Sequence, residues 1–287
     1  MKKFTEYQQQ KNFVKTTIRC NNSTVKTFTS WCELHSIKIT NVDYNDLMGF
    51  VEYCRTQGNS VRTIRLKVKS IEHYFNFLDL NENSATQVKL QGQTRQIPHH
   101  LLDEEELKEI YDLQHLKGLV GKRNKVLLSL VVFQAVAGKE LEKIELKDVD
   151  LLDCKIYIPA TRTTNSRTLE LKPQQLLLFQ DYMTNTRREI LKETRRTSDK
   201  LLISIGQTER ESMNNVIARL IQYLKKRNTR LKGMQQIRQS VITNWIEQFG
   251  LRKAQYMAGH RYVSSTERYK GDKLDGLKSE IEEHFPL

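Results

Sequence analysis

The chain has 287 residues, of which 38% are hydrophobic and 28% charged, a composition that allows a folded core and argues against global disorder. With only 12 Gly and 4 Pro, it is neither collagen-like nor of low complexity. The 47 Lys and Arg residues outnumber the 34 Asp and Glu residues, giving a formal net charge of +13. This balance indicates an anionic partner, nucleic acid first of all, although positive charge can also serve solubility alone.

The cysteines and the apolar segments indicate a cytoplasmic protein. The four cysteines lie far apart without a CxxC pair, which favours free thiols over a zinc site or a disulfide framework. The opening sequence MKKFTEYQQQ lacks the apolar run of a signal peptide. The longest apolar stretch, residues 126–138, is too short to span a bilayer. We therefore expect no membrane partner, and association with the nucleoid if DNA is the partner.

Residues 1–80 predict a helical domain. Three helices are expected, each with an N-cap followed by apolar residues on one face; the caps are Ser23 or Thr24, Asp43, and Ser60. On the third helix Arg62, Arg65 and Lys69 share the face opposite the apolar stripe. These three cations are expected to contact the DNA backbone, and a solvated helix face is the alternative.

Residues 81–98 are polar, contain Gly92 and Pro98 and show no periodicity, which predicts an interdomain linker. Residues 99–287 predict a second domain that opens with a capping box at Asp103. Its further elements are a long apolar helix over 124–137, strands over 155–158 and 168–171, and helices over 174–191, 212–227, 234–249, 251–257 and 277–284. The expected fold class is mainly α, an N-terminal helical domain followed by a helical domain with a small antiparallel β-sheet.

The most informative segment lies near the C-terminus. Arg238 stands near the start of a predicted helix, Gly259 and His260 follow 21 and 22 residues later, and Tyr269 lies nine residues after His260. With Thr266 between them, these residues match in order and spacing the second signature of the tyrosine recombinase (phage integrase) family, which this sequence resembles over its whole length. The resemblance makes residues 1–80 the core-binding (DNA-binding) domain and residues 99–287 the catalytic domain. It implies DNA cleavage and rejoining through a 3′-phosphotyrosine, and thus site-specific recombination or integration.

The chemistry of strand transfer explains why such a site needs these residue types. A phosphodiester attacked by an oxygen nucleophile builds negative charge on its non-bridging oxygens, which fixed cations and hydrogen-bond donors stabilise. The resemblance makes Tyr269 the nucleophile and places Arg238 and His260 on the phosphate. Arg162 falls closest to the family's hairpin Lys, and Gln235 falls where the family has a His. Because the covalent bond to Tyr269 stores the energy of the broken ester, no cofactor or metal is expected.

One departure from the family pattern concerns the first signature. Residues 134–151 resemble it, and Glu140 matches its Glu. The first catalytic Arg of the signature, however, falls on Ala137. Losing one preorganised charge donor typically costs about 100- to 1000-fold in rate. Lys139 and Arg261 are the candidates for a replacement, and the sequence ranks neither.

A second basic cluster, Lys225, Lys226 and Arg227, lies in a segment without acidic residues from 212 to 236. It is expected to contact the DNA backbone, and a solvated helix end is the alternative. The resemblance implies double-stranded DNA as partner, a homo-oligomer that forms a tetrameric synapse, and a mobile element as setting. It also leaves room for accessory DNA-bending proteins.

Three other functions stay open on the sequence. Ala137 and Gln235 motivate a catalytically impaired DNA-binding protein of recombinase descent. A type IB topoisomerase-like enzyme would use the same nucleophile to relax supercoils without sequence choice. A regulator without tyrosine chemistry is the third alternative.

Overall fold

The computed structural model describes residues 1–80, 83–91, 100–205 and 212–269. Residue contacts divide the chain into two compact units, Met1–Gln96 and Ile97–Leu287. The described residues are mainly helical and carry one small antiparallel sheet, which confirms the predicted fold class. None of the helices in these ranges is long and apolar enough to cross a membrane. The helix predicted over 277–284 lies outside the described residues.

The described part of the N-terminal unit has four α-helices. They are α1 (Lys2–Gln10), α2 (Lys15–Leu34), α3 (Tyr44–Thr56) and α4 (Val61–Leu78). The caps predicted at Asp43 and Ser60 are confirmed, since Asp43 accepts from the N–H of Asp46 and Ser60 from that of Thr63. The apolar faces of α2, α3 and α4 meet in one core, which includes Phe28, Leu47, Phe50, Ile64, Ile71 and Phe75.

The first predicted helix start was wrong, because α2 begins at Lys15 and runs through Ser23 and Thr24. A buried polar network accounts for the longer helix. The amide of Asn21 donates to the side chain of Gln8 at 2.8 Å and accepts from Ser70 Oγ at 2.8 Å. These bonds tie α2 to α1 and to α4, so tertiary contacts extend the helix beyond its sequence signal.

Part of the predicted linker packs on the N-terminal unit. Residues 83–91 place Ala85 in its core, and the side chains of Val88 and Leu90 pack against it. The guanidinium of Arg65 donates to the carbonyl of Leu90, with its Nε at 2.8 Å. Apolar side chains within a polar segment therefore fix this stretch, which composition alone assigned to a linker. The assignment of DNA-binding and catalytic roles to the two units stays a prediction.

The C-terminal unit is built around one long helix, α6, most of whose residues are buried. Its helices are α5 (Glu104–Asp112), α6 (Gly118–Gln134), α7 (Gly138–Leu141), α8 (Pro173–Asp181), a π-helical segment (Tyr182–Thr186), α9 (Arg187–Thr194), α10 (Met213–Lys225), α11 (Met234–Ala258) and α12 (Val263–Glu267). Strands β1 (Val149–Asp150), β2 (Lys155–Ile158) and β3 (Arg167–Glu170) form an antiparallel sheet in the order β1-β2-β3. The predicted hairpin is therefore confirmed, with Ile158 opposite Arg167.

Two backbone breaks set the positions of the site residues. Helix α6 ends at Gln134, three residues earlier than predicted, because Ala135 takes a left-handed conformation with φ 47°. The chain starts again as α7, with Ala137 as N-cap and its N–H donating to Glu140 at 2.7 Å. Gly250 (φ 77°) breaks α11 at the point where the sequence predicted two separate helices.

Candidate active site

Three segments of the C-terminal unit meet at one place. They are the start of α7, the turn between β2 and β3, and the chain from the end of α11 to Tyr269. Thr164 of the turn and His260 form an isolated antiparallel β-bridge. The N–H of Asn165 donates to the carbonyl of Gly259 at 2.9 Å. The hairpin turn is therefore fastened to the Gly-His motif by backbone bonds.

Arg238 lies in this junction with its guanidinium held between two helix ends. It donates to the carbonyl of Ala135, just beyond α6, and to that of Ala258, the last residue of α11, at 2.7 Å. Its side chain is 11% exposed, and its Nη1 lies 3.7 Å from Glu140 Oε2. A cation suits the carbonyl ends of helices. Burial lowers the pKa of Arg238, while the charge of Glu140 acts in the opposite direction.

His260 and Tyr269 lie against one another. Their rings are stacked, with centroids 5.8 Å apart and 12° between the planes. His260 Nδ1 lies 2.9 Å from the hydroxyl of Thr266, which is buried, and the N–H of Tyr269 donates to the Thr266 carbonyl at 2.9 Å. Burial, together with the positive charges of Arg238 and Arg167, lowers the pKa of His260 to about 4. The imidazole is therefore neutral at physiological pH.

The structure thus brings together three of the five predicted catalytic residues, Arg238, His260 and Tyr269. Arg162 is exposed on the hairpin turn, and within the described part of the chain it has no hydrogen bond or ion pair. Gln235 is exposed at the start of α11, and among the described residues its side chain has no hydrogen bond. The roles assigned to all five stay predictions.

Arg167 belongs to the same junction and was missed by the sequence-based prediction. Its guanidinium donates to both carboxylate oxygens of Glu140, at 2.7 and 3.1 Å, and neither side chain is exposed. A sequence signal for this placement existed. Arg167 stands two residues before the buried Leu169, and alternate residues of a strand share one face. A charged residue on the inward face of a strand needs a buried partner.

The candidates for DNA contact are exposed in both units. On α4 Arg62 is exposed, Arg65 donates to Leu90, and Lys69 pairs with Glu72 at 2.6 Å. At the end of α10 the cluster Lys225, Lys226 and Arg227 is exposed, and the guanidinium of Arg227 lies 3.9 Å from the ring of Tyr223. Their roles on DNA stay predictions.

Comparison with known proteins gives consistent matches. A model of the phage integrase family matches residues 100–273. The tyrosine recombinase XerC of Anoxybacillus flavithermus is 24% identical over an alignment that covers 96% of this chain and 93% of the XerC chain. The Tn1549 transposon integrase in complex with transposon right end DNA superposes with a TM-score of 0.69 at 14% identity, over 99% and 98% of the two chains. A lambda integrase from a tetramer bound to a Holliday junction superposes with a TM-score of 0.65 at 12% identity, covering 94% of this chain and 76% of the integrase chain.

Proposed function

The chain belongs to the phage integrase family, and from this we propose that it is a site-specific recombinase that cuts and rejoins DNA through a 3′-phosphotyrosine at Tyr269. The observation that carries the proposal is the junction of Tyr269 with His260 and Arg238. The phenol is stacked on the imidazole and within electrostatic range of the guanidinium. This arrangement supports the roles of nucleophile for Tyr269, proton acceptor for His260 and phosphate-binding cation for Arg238, which strand transfer requires.

The proposed step exchanges one phosphate ester for another. The phenolic oxygen of Tyr269 attacks phosphorus, the new O–P bond forms, and the bond from phosphorus to the 5′ oxygen breaks. The phenol gives one proton to His260 or to water, and the leaving 5′ oxygen takes up one proton in exchange and becomes a free hydroxyl, so that the step releases no net proton. Because one ester replaces another, the step is reversible and needs no external energy source. A second 5′ hydroxyl attacking the phosphotyrosine rejoins the strands.

The chemistry of His260 fits proton transfer in this step. A neutral imidazole offers one nitrogen that accepts and one that donates. With Nδ1 occupied by Thr266, the other nitrogen, Nε2, is the one left for the phenol or the phosphate. The lowered pKa keeps the ring neutral until the phosphate enters, and the negative charge of the phosphate then favours protonation.

Arg238 is suited to the developing charge on the phosphate. An arginine has five N–H donors, and two carbonyls occupy one donor on each of its Nη atoms. The remaining N–H groups can receive the non-bridging oxygens while the two carbonyls hold the guanidinium in place. Arg162 on the hairpin turn adds electrostatic support near the leaving oxygen, and Gln235 offers a hydrogen bond but no proton relay. Ala137 takes the place of the first catalytic Arg, which predicts a slow enzyme.

The partners follow from the relatives. We expect double-stranded DNA as substrate and a homo-oligomer on it, as the lambda integrase tetramer on a Holliday junction suggests. The net charge of +13 and the exposed cations of both units support this. The finer expectations are a tetrameric synapse, accessory DNA-bending proteins, and a place in the cytoplasm at the nucleoid.

The experiment uses a pool of nicked duplexes randomised across the binding site, in which the nick lets the cleaved 5′ fragment escape. DNA that stays on the protein in detergent is recovered and sequenced. The wild type is expected to yield a covalent adduct with a recurring sequence, and Tyr269→Phe none. Specific binding with no adduct from any duplex would establish the impaired binding protein instead. Adducts without sequence preference, together with plasmid relaxation, would establish the topoisomerase-like enzyme; neither alternative is favoured by the comparisons.

A further inference from the structure

We propose that Arg167 is a positioning residue for Arg238: it occupies the carboxylate of Glu140, so that Arg238 keeps its charge for the scissile phosphate. The inference rests on the proposed function and deepens it. The observation that carries it is the buried pair of Arg167 with Glu140, which lies directly beside Arg238.

Arg167 and Arg238 both lie close to the carboxylate of Glu140. Both carboxylate oxygens accept from Arg167, and Oε2 also accepts from the N–H of Ala137 at 2.7 Å. The same Oε2 lies 3.7 Å from Arg238 Nη1, beyond hydrogen-bond distance but well within electrostatic range. A bidentate Arg–carboxylate pair is the stronger arrangement. Arg167 therefore takes both carboxylate oxygens of Glu140, and Arg238 keeps only a longer ion pair to one of them.

The charge balance of the junction follows from this pairing. Arg167 and Glu140 together are neutral, and His260 is neutral, so the guanidinium of Arg238 supplies the net positive charge. Without Arg167, the buried carboxylate would have Arg238 as its nearest cation and would pull that guanidinium toward itself. A neutralised Arg238 stabilises the phosphate poorly, because only an uncompensated charge acts on the transition state.

Gly259 supplies the space for this arrangement. A β-carbon at position 259 would collide with Nη1 of Arg167 and lie 3.0 Å from its Cζ. The backbone there also has φ 69°, which favours glycine. The missing side chain at Gly259 thus leaves room for the guanidinium of Arg167 beside the backbone of the Gly-His motif. From there the charge of Arg167 acts on His260.

The two candidates from the sequence do not fill this role. Lys139 is exposed, and Arg261 donates to the carbonyl of Thr161 at 3.0 Å, which fastens the hairpin turn. Within the described residues, the cations paired with Glu140 are Arg167 and Arg238. Arg167 acts through Glu140 and not on the DNA, since its side chain has no exposed surface.

The test compares Arg167→Met, Glu140→Gln and the double variant in single-turnover cleavage of a duplex selected from the pool. Arg167→Met is expected to cleave about 100-fold more slowly than the wild type. The double variant is expected to recover to within about tenfold of Glu140→Gln, because the carboxylate that captures Arg238 is gone. Arg167→Lys, which keeps a charge, is expected to lie between Arg167→Met and the wild type.

The pH dependence separates positioning from simple loss of structure. In the wild type the hydrogen bonds and the charge of Arg167 help to hold the pKa of Glu140 below its ordinary value, although burial acts to raise it. In Arg167→Met the effect of burial is less opposed, so Glu140 becomes easier to protonate. Protonation releases Arg238, so the rate relative to the wild type should rise as the pH falls. Arg187→Met is the matched control. Arg187 is a buried arginine bonded to the carbonyls of Lys200 and Ser198, and its loss should lower stability without this pH response.

A readout besides activity keeps the two proposals distinguishable. Inorganic phosphate is titrated into the labelled protein, and binding is followed by the NMR signals of His260. Arg167→Met should bind phosphate about tenfold more weakly than the wild type. The double variant should recover the affinity for phosphate. If the wild type forms no adduct at Tyr269, the proposed function fails, and the phosphate titration alone decides the role of Arg167. The inference is overturned if folded Arg167→Met binds phosphate as the wild type does, or if the double variant recovers nothing.

Discussion

The Nδ1 atom of His260 and the hydroxyl oxygen of Thr266 lie 2.9 Å apart, and the residue that bears the hydroxyl is completely buried. This bond fixes the plane of the imidazole against the ring of Tyr269. A short helix, α12, thus holds both the orienting hydroxyl and the chain that leads to the phenol.

We expect Thr266→Val to slow cleavage by about 10- to 100-fold, because it keeps the shape of the side chain and removes the partner of His260. Thr266→Ser keeps the hydroxyl and is expected to cleave within a few-fold of the wild type. Single-turnover adduct formation measures both. Equal rates for the Val and Ser variants would show that the hydroxyl does not orient the histidine.

The pKa of His260 should be about 4 in an NMR titration of the free protein. Above about pH 6.5 the imidazole is neutral in both the folded and the unfolded chain and contributes no pH dependence. Between about pH 6.5 and about pH 4 the unfolded chain binds a proton that the folded chain does not, so stability falls as the pH falls. His260→Gln should lose this part of the acid destabilisation in denaturant titrations. A pKa near 6.5 for His260 would contradict the prediction.

Gly259→Ala is expected to destabilise the protein more than Gly250→Ala. Both glycines have a positive φ, but open space surrounds Gly250, whereas a β-carbon at Gly259 meets the guanidinium of Arg167. The cost of the backbone strain, on the order of 1–3 kcal/mol, is common to both variants. The additional loss of unfolding free energy in Gly259→Ala therefore measures the clash between the new β-carbon and its neighbours. Chemical denaturation gives the two free energies of unfolding. Equal losses would mean that Arg167 moves aside at no cost.

Neutralising the second basic cluster should flatten the salt dependence of DNA binding. In Lys225→Gln, Lys226→Gln and Arg227→Gln combined, the slope of log K against log salt should fall in magnitude by about 2 to 3, at roughly 0.9 per phosphate contact. Lys108→Gln, an exposed lysine on α5, is the control. An unchanged slope would identify the cluster as a solvated helix end.

Much of the fold was predictable because the relevant signals are local. The caps at Asp43, Ser60 and Asp103 depend on a side chain three residues from its backbone partner. The start of α2 was not predictable in this way. It depends on the buried bonds of Asn21 to α1 and α4, which no window of sequence contains.

The sequence by itself determined the order and spacing of Arg238, Gly259, His260 and Tyr269. The last three lie within eleven consecutive residues, so local structure, the end of α11 and the short helix α12, is enough to bring them together. Only the tertiary structure decided which cation serves Glu140. Arg167 is 27 residues away along the chain, and it reaches that carboxylate because the hairpin is fastened to the Gly-His motif. A buried ion pair depends on where the fold excludes water, and spacing along the sequence carries no record of that.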